Sequence, residues 1–374
     1  MALKVLVWTC SFEQRSAGQY VAYEAVRQGY DVRVVGSRER PDEMLPVLYE
    51  YKPDVVFSFC IRPNLVPYFK KIRATGAKLV LWYPDMTETS RDRMWRTLLN
   101  DVADMLVFSI LETAQRYNHL APYVVWMPQY FDQYSCLDSA TQQLPRRLDP
   151  NKPIYNLVFI GSTDATRRNW LQLLQRMYGP VYFAIDTIGR GNEVREFRMA
   201  EAYAQSKIAI NLQRVVFRNS GLYVTSNRIY NAMGGGAFFI SHPVTRLDLV
   251  FQPGKHCVVH NDQLDDLCRL IDYYLEHEDE REAIAAEGQK QVLQYHTLEQ
   301  RVREYWEIMQ SLVDNTVPEC VAFGEWSNEW HGQPFLASNL KREDRVIVTQ
   351  CRCHNCDALV SSLITYCFKC GAKL

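Results

Sequence analysis

The chain has 374 residues, 47% of them hydrophobic, with 42 Lys and Arg against 43 Asp and Glu and a net charge of −1. That length and apolar content suit two ordinary domains plus something small, and exclude a disordered or fibrous chain. Balanced charge excludes a chain-wide field for nucleic acid or an anionic membrane and leaves room only for a local patch.

The opening "MALKVLVWTCSFEQ" contains the apolar run "VLVW", too short for a signal-peptide core. No later run approaches a bilayer span, so a cytoplasmic location without a membrane span is expected. Next come the strand-like runs "KVLVW", "DVRVVG", "DVVFSFC", "KLVLWYPD", "MLVFS" and "YVVWMP", separated by helical patterns. Val-rich, unalternating strands spaced by helices predict a parallel sheet covered on both faces, a doubly wound α/β domain over residues 1–149. The stretch "LPRRLDPNKPIYN" suits a linker, and the alternation restarts with "NLVFIGS", "VYFAI", "KIAINL", "AFFIS" and "CVVH". A second domain of the same class is therefore expected over 150–312. It closes with consecutive charged amphipathic helices, whose charges read as solvated faces. Residues 313–350 read as an aperiodic linker and 351–374 as a separate small module.

Two such domains in tandem predict a cleft flanked by strand carboxyl ends, where open parallel sheets bind ligands. In "FIGS", Gly161 permits a tight turn, the N–H groups of Ser162 and Thr163 follow it, and Arg167 and Arg168 can meet an anion at a helix start. The bland alternative is only a turn. In "SNRIYNAMGGGAFFIS", Ser226 is a plausible N-cap, and the unpaired first-turn N–H groups with Arg228 make an anion site. Gly234, Gly235 and Gly236 then return the chain to the next strand, and they equally suit a helix end packed tightly on that strand.

These motifs, together with "YAQSKIAINL", "FQPGKHCVVH" and "IDYYLEHEDEREAIAAEGQKQVLQYHTLEQRV", resemble the CgeB-like glycosyltransferases of the GT-B fold, a group that includes phage-encoded members. The resemblance runs from about Gly161 to Trp306. The N-terminal half is similar in outline, through "GYDVRVV", "KPDVVFSF", "KLVLWYPD", "DMLVFS" and "MPQYFD". It implies a nucleotide-diphosphate sugar, such as a UDP-sugar, whose nucleoside sits on the second domain and whose diphosphate is held by the glycine-rich backbone and by cationic side chains. Contacts are implied from Gly161, Ser162, Arg167, Arg168, Ser226, Asn227, Arg228 and Gly234 to Gly236, with Lys207 or Arg168 aiding Arg228 against the leaving charge. Stabilising that departing diphosphate is where electrostatic preorganisation acts on an oxocarbenium-like transfer. No Asp-x-Asp metal motif occurs, which suits transfer without a metal at the chemical step. Relatives commonly carry Glu at Asn231, where a carboxylate holds the ribose, and retaining families place a second Glu at Tyr223. Both departures leave the stereochemistry open. For the general base, Asp85 at the end of "KLVLWYPD" is the first candidate and Glu13 the second.

The tail "CHNCDALVSSLITYCFKCGAKL" pairs Cys353-x2-Cys356 with Cys367-x2-Cys370 across ten residues. Four thiolates at this spacing predict a closed, tetrahedral and structural Zn2+ site, a zinc ribbon. Three readings follow: a glycosyltransferase acting on an unidentified acceptor hydroxyl, a phage-type enzyme glycosylating a hydroxylated base in DNA, or a catalytically inactive GT-B binding protein.

Overall fold

A computed structural model describes residues 2–9, 17–36, 41–84, 102–117, 119–185, 196–214, 224–317, 335–336, 350–352 and 359–361. In chain order the first elements are β1 (Lys4–Thr9), α1 (Ala17–Arg27), β2 (Asp31–Gly36), α2 (Met44–Tyr51), β3 (Val55–Ser58), α3 (Val66–Ala74), β4 (Lys78–Tyr83), β5 (Met105–Phe108), α4 (Leu111–Arg116) and β6 (Tyr123–Trp126). The alternation resumes with β7 (Tyr155–Gly161), α5 (Ala165–Tyr178), β8 (Val181–Ile185), α6 (Glu196–Ala204), β9 (Ser206–Ile210), α7 (Asn227–Gly234), β10 (Phe238–Ser241) and β11 (Val258–Val259). Three helices follow, α8 (Leu264–Glu276), α9 (Glu278–Tyr295) and α10 (Leu298–Val313), and then the short strands β12 (Phe335–Leu336), β13 (Gln350–Arg352) and β14 (Leu359–Ser361).

The chain divides into two compact units, one of Met1–Gln129 with Leu298–Arg345, the other of Tyr130–Thr297 with Val346–Leu374. In the first, β6-β5-β4-β3-β1-β2 form a parallel sheet, and β12 adds antiparallel to the β6 edge. Every residue of β3 and of β5 is buried, as expected of strands covered on both faces. In the second, β11-β10-β9-β7-β8 form a wholly parallel sheet. Its core joins Leu157, Phe159, Ile208 and Phe238 to Leu171 of α5 and Leu267 of α8.

The compact units differ from the expected boundaries at both ends of the second domain. Residues from Tyr130 onward already belong to the second unit: the Phe131 N–H donates to the His296 carbonyl at 2.8 Å, and that of Leu148 to Ala204 at 2.9 Å. Arg147, with Glu282 at 2.9 Å, also donates to the Lys207 carbonyl. At the far end, α10 leaves the second unit and joins the first, where Trp306 stacks on Tyr30 at 5.0 Å and Tyr305 packs edge-on against Phe57 at 5.2 Å.

The charged helices are not uniformly solvated. Arg281 and Arg301 are fully buried. Arg281 donates to the Tyr274 carbonyl at 2.8 Å and Arg301 pairs with Glu304. Burial, opposed by Arg301, pushes the Glu304 carboxyl up to about 7. A guanidinium buried beneath an apolar face leaves no mark in the charge pattern.

Candidate functional site

In the second unit the chain adds β8 on one side of β7 and then returns to place β9, β10 and β11 on the other. The strand order therefore reverses between β7 and β9, and the crevice at their carboxyl ends is where open parallel sheets bind ligands. Arg228, in the first turn of α7, lies there. Its Nε donates to the Ile160 carbonyl at 2.8 Å, its Nη1 to Asn211 Oδ1, and its guanidinium lies over the Phe159 ring at 4.3 Å from the centroid. Among the described residues no carboxylate pairs with it. Burial lowers its pKa, opposed by Tyr203. A guanidinium nevertheless keeps its proton, so Arg228 is a fixed cation held by neutral groups.

Gly161 makes this approach possible. Its backbone is at φ +150°, and a Cβ there would collide with Arg228 Nη2. Beyond it Asp164 caps α5, accepting from the Arg167 N–H at 3.0 Å. The nearly buried Arg167 donates to the carbonyls of Ser162, at 3.0 Å, and Leu212, so it clips the β7 loop to the β9 loop. Arg168 is exposed, with Thr163 Oγ1 at 3.5 Å. Ser226 has the extended backbone of an N-cap, φ −137° and ψ 159°, but its buried Oγ has no partner among the described residues. Asn227 beside it is exposed, and Asn231 lies one turn further along the helix, half-buried. Gly161, Ser162, Arg167, Arg168, Ser226, Asn227 and Arg228 thus gather at one edge of one sheet.

The three glycines do not join them. They end α7, and eight residues of helix put them about 12 Å from its start, toward the amino end of β10. Gly236 adopts φ +86° and donates to the Met233 carbonyl at 2.9 Å, while Ala237 donates to Ala232 at 2.9 Å, a Schellman close. Each glycine also meets a neighbour. A Cβ on Gly234 would enter the Phe131 ring, one on Gly235 would lie 2.9 Å from Tyr203 Cβ, and one on Gly236 would lie 3.1 Å from Gln289 Nε2. Where a diphosphate cradle was expected, these glycines serve helix termination and packing. Lys207 is likewise misplaced for the role expected of it. The register sets Ser206 beside Tyr155 and Ile208 beside Leu157, so Lys207 lies level with Asn156, about 16 Å along β7 from Gly161.

Sequence reasoning missed Asn211, His242 and His260 at the same edge. Asn211, besides holding Arg228, donates its N–H to the Ile240 carbonyl at 2.9 Å and accepts at its own carbonyl from His260 Nε2 at 3.2 Å. His242 follows β10, fully buried, with Nε2 3.1 Å from the Val224 carbonyl and with no partner for Nδ1 among the described residues. Burial first, then His260, Arg167 and Arg228, drive the His242 ring well below the ordinary histidine pKa. Ser241 and Thr245 beside it also bury unpartnered hydroxyls. A signal was present: "INLQ", "ISHPVT" and "VVHND" each set polar residues directly after an apolar strand.

Asp85, Glu13, Tyr223 and the four cysteines Cys353, Cys356, Cys367 and Cys370 lie outside the described residues. Among the described residues no group of three or more His, Cys, Asp or Glu side chains is placed to hold a metal, and no helix is long and apolar enough to cross a membrane.

Residues 144–307 match the glycosyl transferase-like family model, a span that contains the whole Arg228 edge. Among solved structures the chain is similar to HepE from Anabaena in complex with UDP and glucose, at 12% identity and a TM-score of 0.56 over 83% of this chain and 100% of that one. Sucrose-phosphate synthase from Thermosynechococcus elongatus matches at 11% identity and 0.56 over 84% and 100%. A glycosyltransferase from Rickettsia africae matches at 11% and 0.54, also over 84% and 100%. No curated protein matches the sequence. The two parallel sheets are those of the GT-B architecture, and the second unit carries most of the glycosyl transferase-like match.

Proposed function

We propose that the protein transfers a sugar from a nucleotide-diphosphate sugar, a UDP-sugar first among them, to an acceptor hydroxyl, and that it is of the CgeB-like kind. The observation that carries this is Arg228, a cation with no ion pair among the described residues, clamped by Ile160 and Asn211 at the strand-order reversal. An anion with two phosphoryl groups matches that site, and Arg167 and Arg168 with the unpaired N–H groups of two helix starts add to it. HepE, of the same fold, binds UDP and glucose. The cationic edge can take the leaving diphosphate without a metal at the chemical step. On this reading Asp85, directly after Pro84 beyond β4, is the base that accepts the acceptor's proton, with Glu13 next in line.

Turnover of a panel of nucleotide sugars, read as release of the nucleoside diphosphate, tests the reading, and no turnover with any donor would refute it. Asp85→Asn is expected to remove most transfer while leaving donor affinity within about twofold, because a base on the acceptor side acts mainly in the transition state. The tail is assigned a structural zinc. The antiparallel pair β13–β14 brackets Cys353 and Cys356 in sequence, as a metal knuckle requires, and Cys367 and Cys370 complete four thiolates. Elemental analysis should find one zinc per chain, lost in Cys353→Ser.

A further inference from the structure

Two buried histidines end neighbouring strands of the second sheet, and their hydrogen bonds distinguish them. His260 is occupied on both sides: Nδ1 accepts from the Asp262 N–H at 3.1 Å, so Nε2 carries the proton and donates to the Asn211 carbonyl at 3.2 Å. Protonating it would break the bond from Asp262. His242 faces the Val224 carbonyl with Nε2, and a carbonyl can only accept, so the ring proton is on Nε2 and Nδ1 is a buried lone pair with no partner among the described residues. His242 can therefore gain a proton without losing a hydrogen bond. The charged and titratable groups acting on it are His260 at the end of β11, Arg167 at the start of α5 and Arg228 at the start of α7. The same cations form the anion site.

We propose that His242 takes up one proton when the diphosphate of the donor occupies this edge, so that donor binding is coupled to protonation of a buried histidine. In the unliganded protein burial first, then His260 and the two guanidiniums, keep the ring neutral. A bound diphosphate neutralises those guanidiniums and adds negative charge, which favours the imidazolium. The proton comes from solvent and resides on Nδ1, and no bond of the donor is broken. By linkage, the liganded ring has the higher pKa, so affinity is greatest at low pH. It falls by up to about tenfold per pH unit between the free and the liganded pKa, and becomes flat above both. This inference rests on the donor reading given above, and the test separates the two.

The probe is UDP-glucose, whose diphosphate, esterified at both ends, keeps one charge state through neutral pH, so any proton taken up goes to the protein. Isothermal titration at pH 6.5 in buffers of different ionisation enthalpy should show net uptake of about 0.3–1 proton per donor. His242→Gln and His242→Asn should bind with uptake near zero and a flattened pH dependence. Binding without uptake in the native protein overturns the inference whether or not either variant folds, and so does undiminished uptake in a folded variant. Should no nucleotide sugar bind, the functional reading falls, and sulfate, also of fixed charge, decides the inference alone. Sulfate bound with uptake that His242→Gln removes sustains it; sulfate bound without uptake, or not bound at all, overturns it.

Discussion

The two ends of the eight-residue helix α7 do different work. At its start, Arg228 is drawn across the carboxyl ends of β7 and β9 by the Ile160 carbonyl and the Asn211 amide, a cation held ready by groups that do not neutralise it. At its end, Gly234, Gly235 and Gly236 are pressed against Phe131, Tyr203 and Gln289 and carry the turn into β10. The difference teaches that a glycine-rich stretch must be placed on its strand or helix before it is assigned to a ligand. In a parallel sheet only the segment that follows a strand faces the ligand edge, and the segment that precedes one faces away.

The sharpest way to break the comparison is Gly234→Ala. The new methyl enters the Phe131 ring, so a loss of about 3 kcal/mol in unfolding free energy is expected, with donor affinity in the surviving folded protein unchanged. Chemical denaturation and donor titration on the same sample measure both. A variant of native stability that cannot bind donor would return the glycines to the ligand.

Arg228→Ala is the converse. Losing a charge-assisted contact should weaken nucleotide-diphosphate binding by roughly 1.5–3 kcal/mol, about 10- to 150-fold. The fold should survive, since what is lost is one donor to Ile160 and one to Asn211. Unchanged affinity for UDP, GDP and ADP alike would remove this edge from the site.

Lys207→Ala should have the smallest effect, less than about twofold on donor affinity, because its position lies at the opposite end of the strands from Gly161. A tenfold loss would mean that the donor reaches the amino end of the sheet, against the rule for parallel sheets.

Much of this architecture was legible in the residues. Runs such as "DVVFSFC" and "KIAINL" are apolar without alternation, a pattern stable only as strands buried on both faces, and the helical spacers then require parallel crossovers. Ser226 as a helix start, Gly161 as a turn and the gathering of Arg167 and Arg228 followed from the same local rules of caps and strand ends. Those rules act within a few residues, so one chain displays them. The tertiary structure alone decided which end of α7 each motif occupies and that α10 crosses to the first unit to bury Tyr305 and Trp306. It alone decided that Arg281 and Arg301 are buried within helices that read as solvated, and that the His242 lone pair at the end of β10 meets no partner among the described residues. Each of these depends on what a distant segment brings alongside: Phe131 against Gly234, Asn211 against Arg228, Val224 against His242. Local periodicity records which side of an element is apolar, but the partner that covers it is chosen by packing across the whole chain.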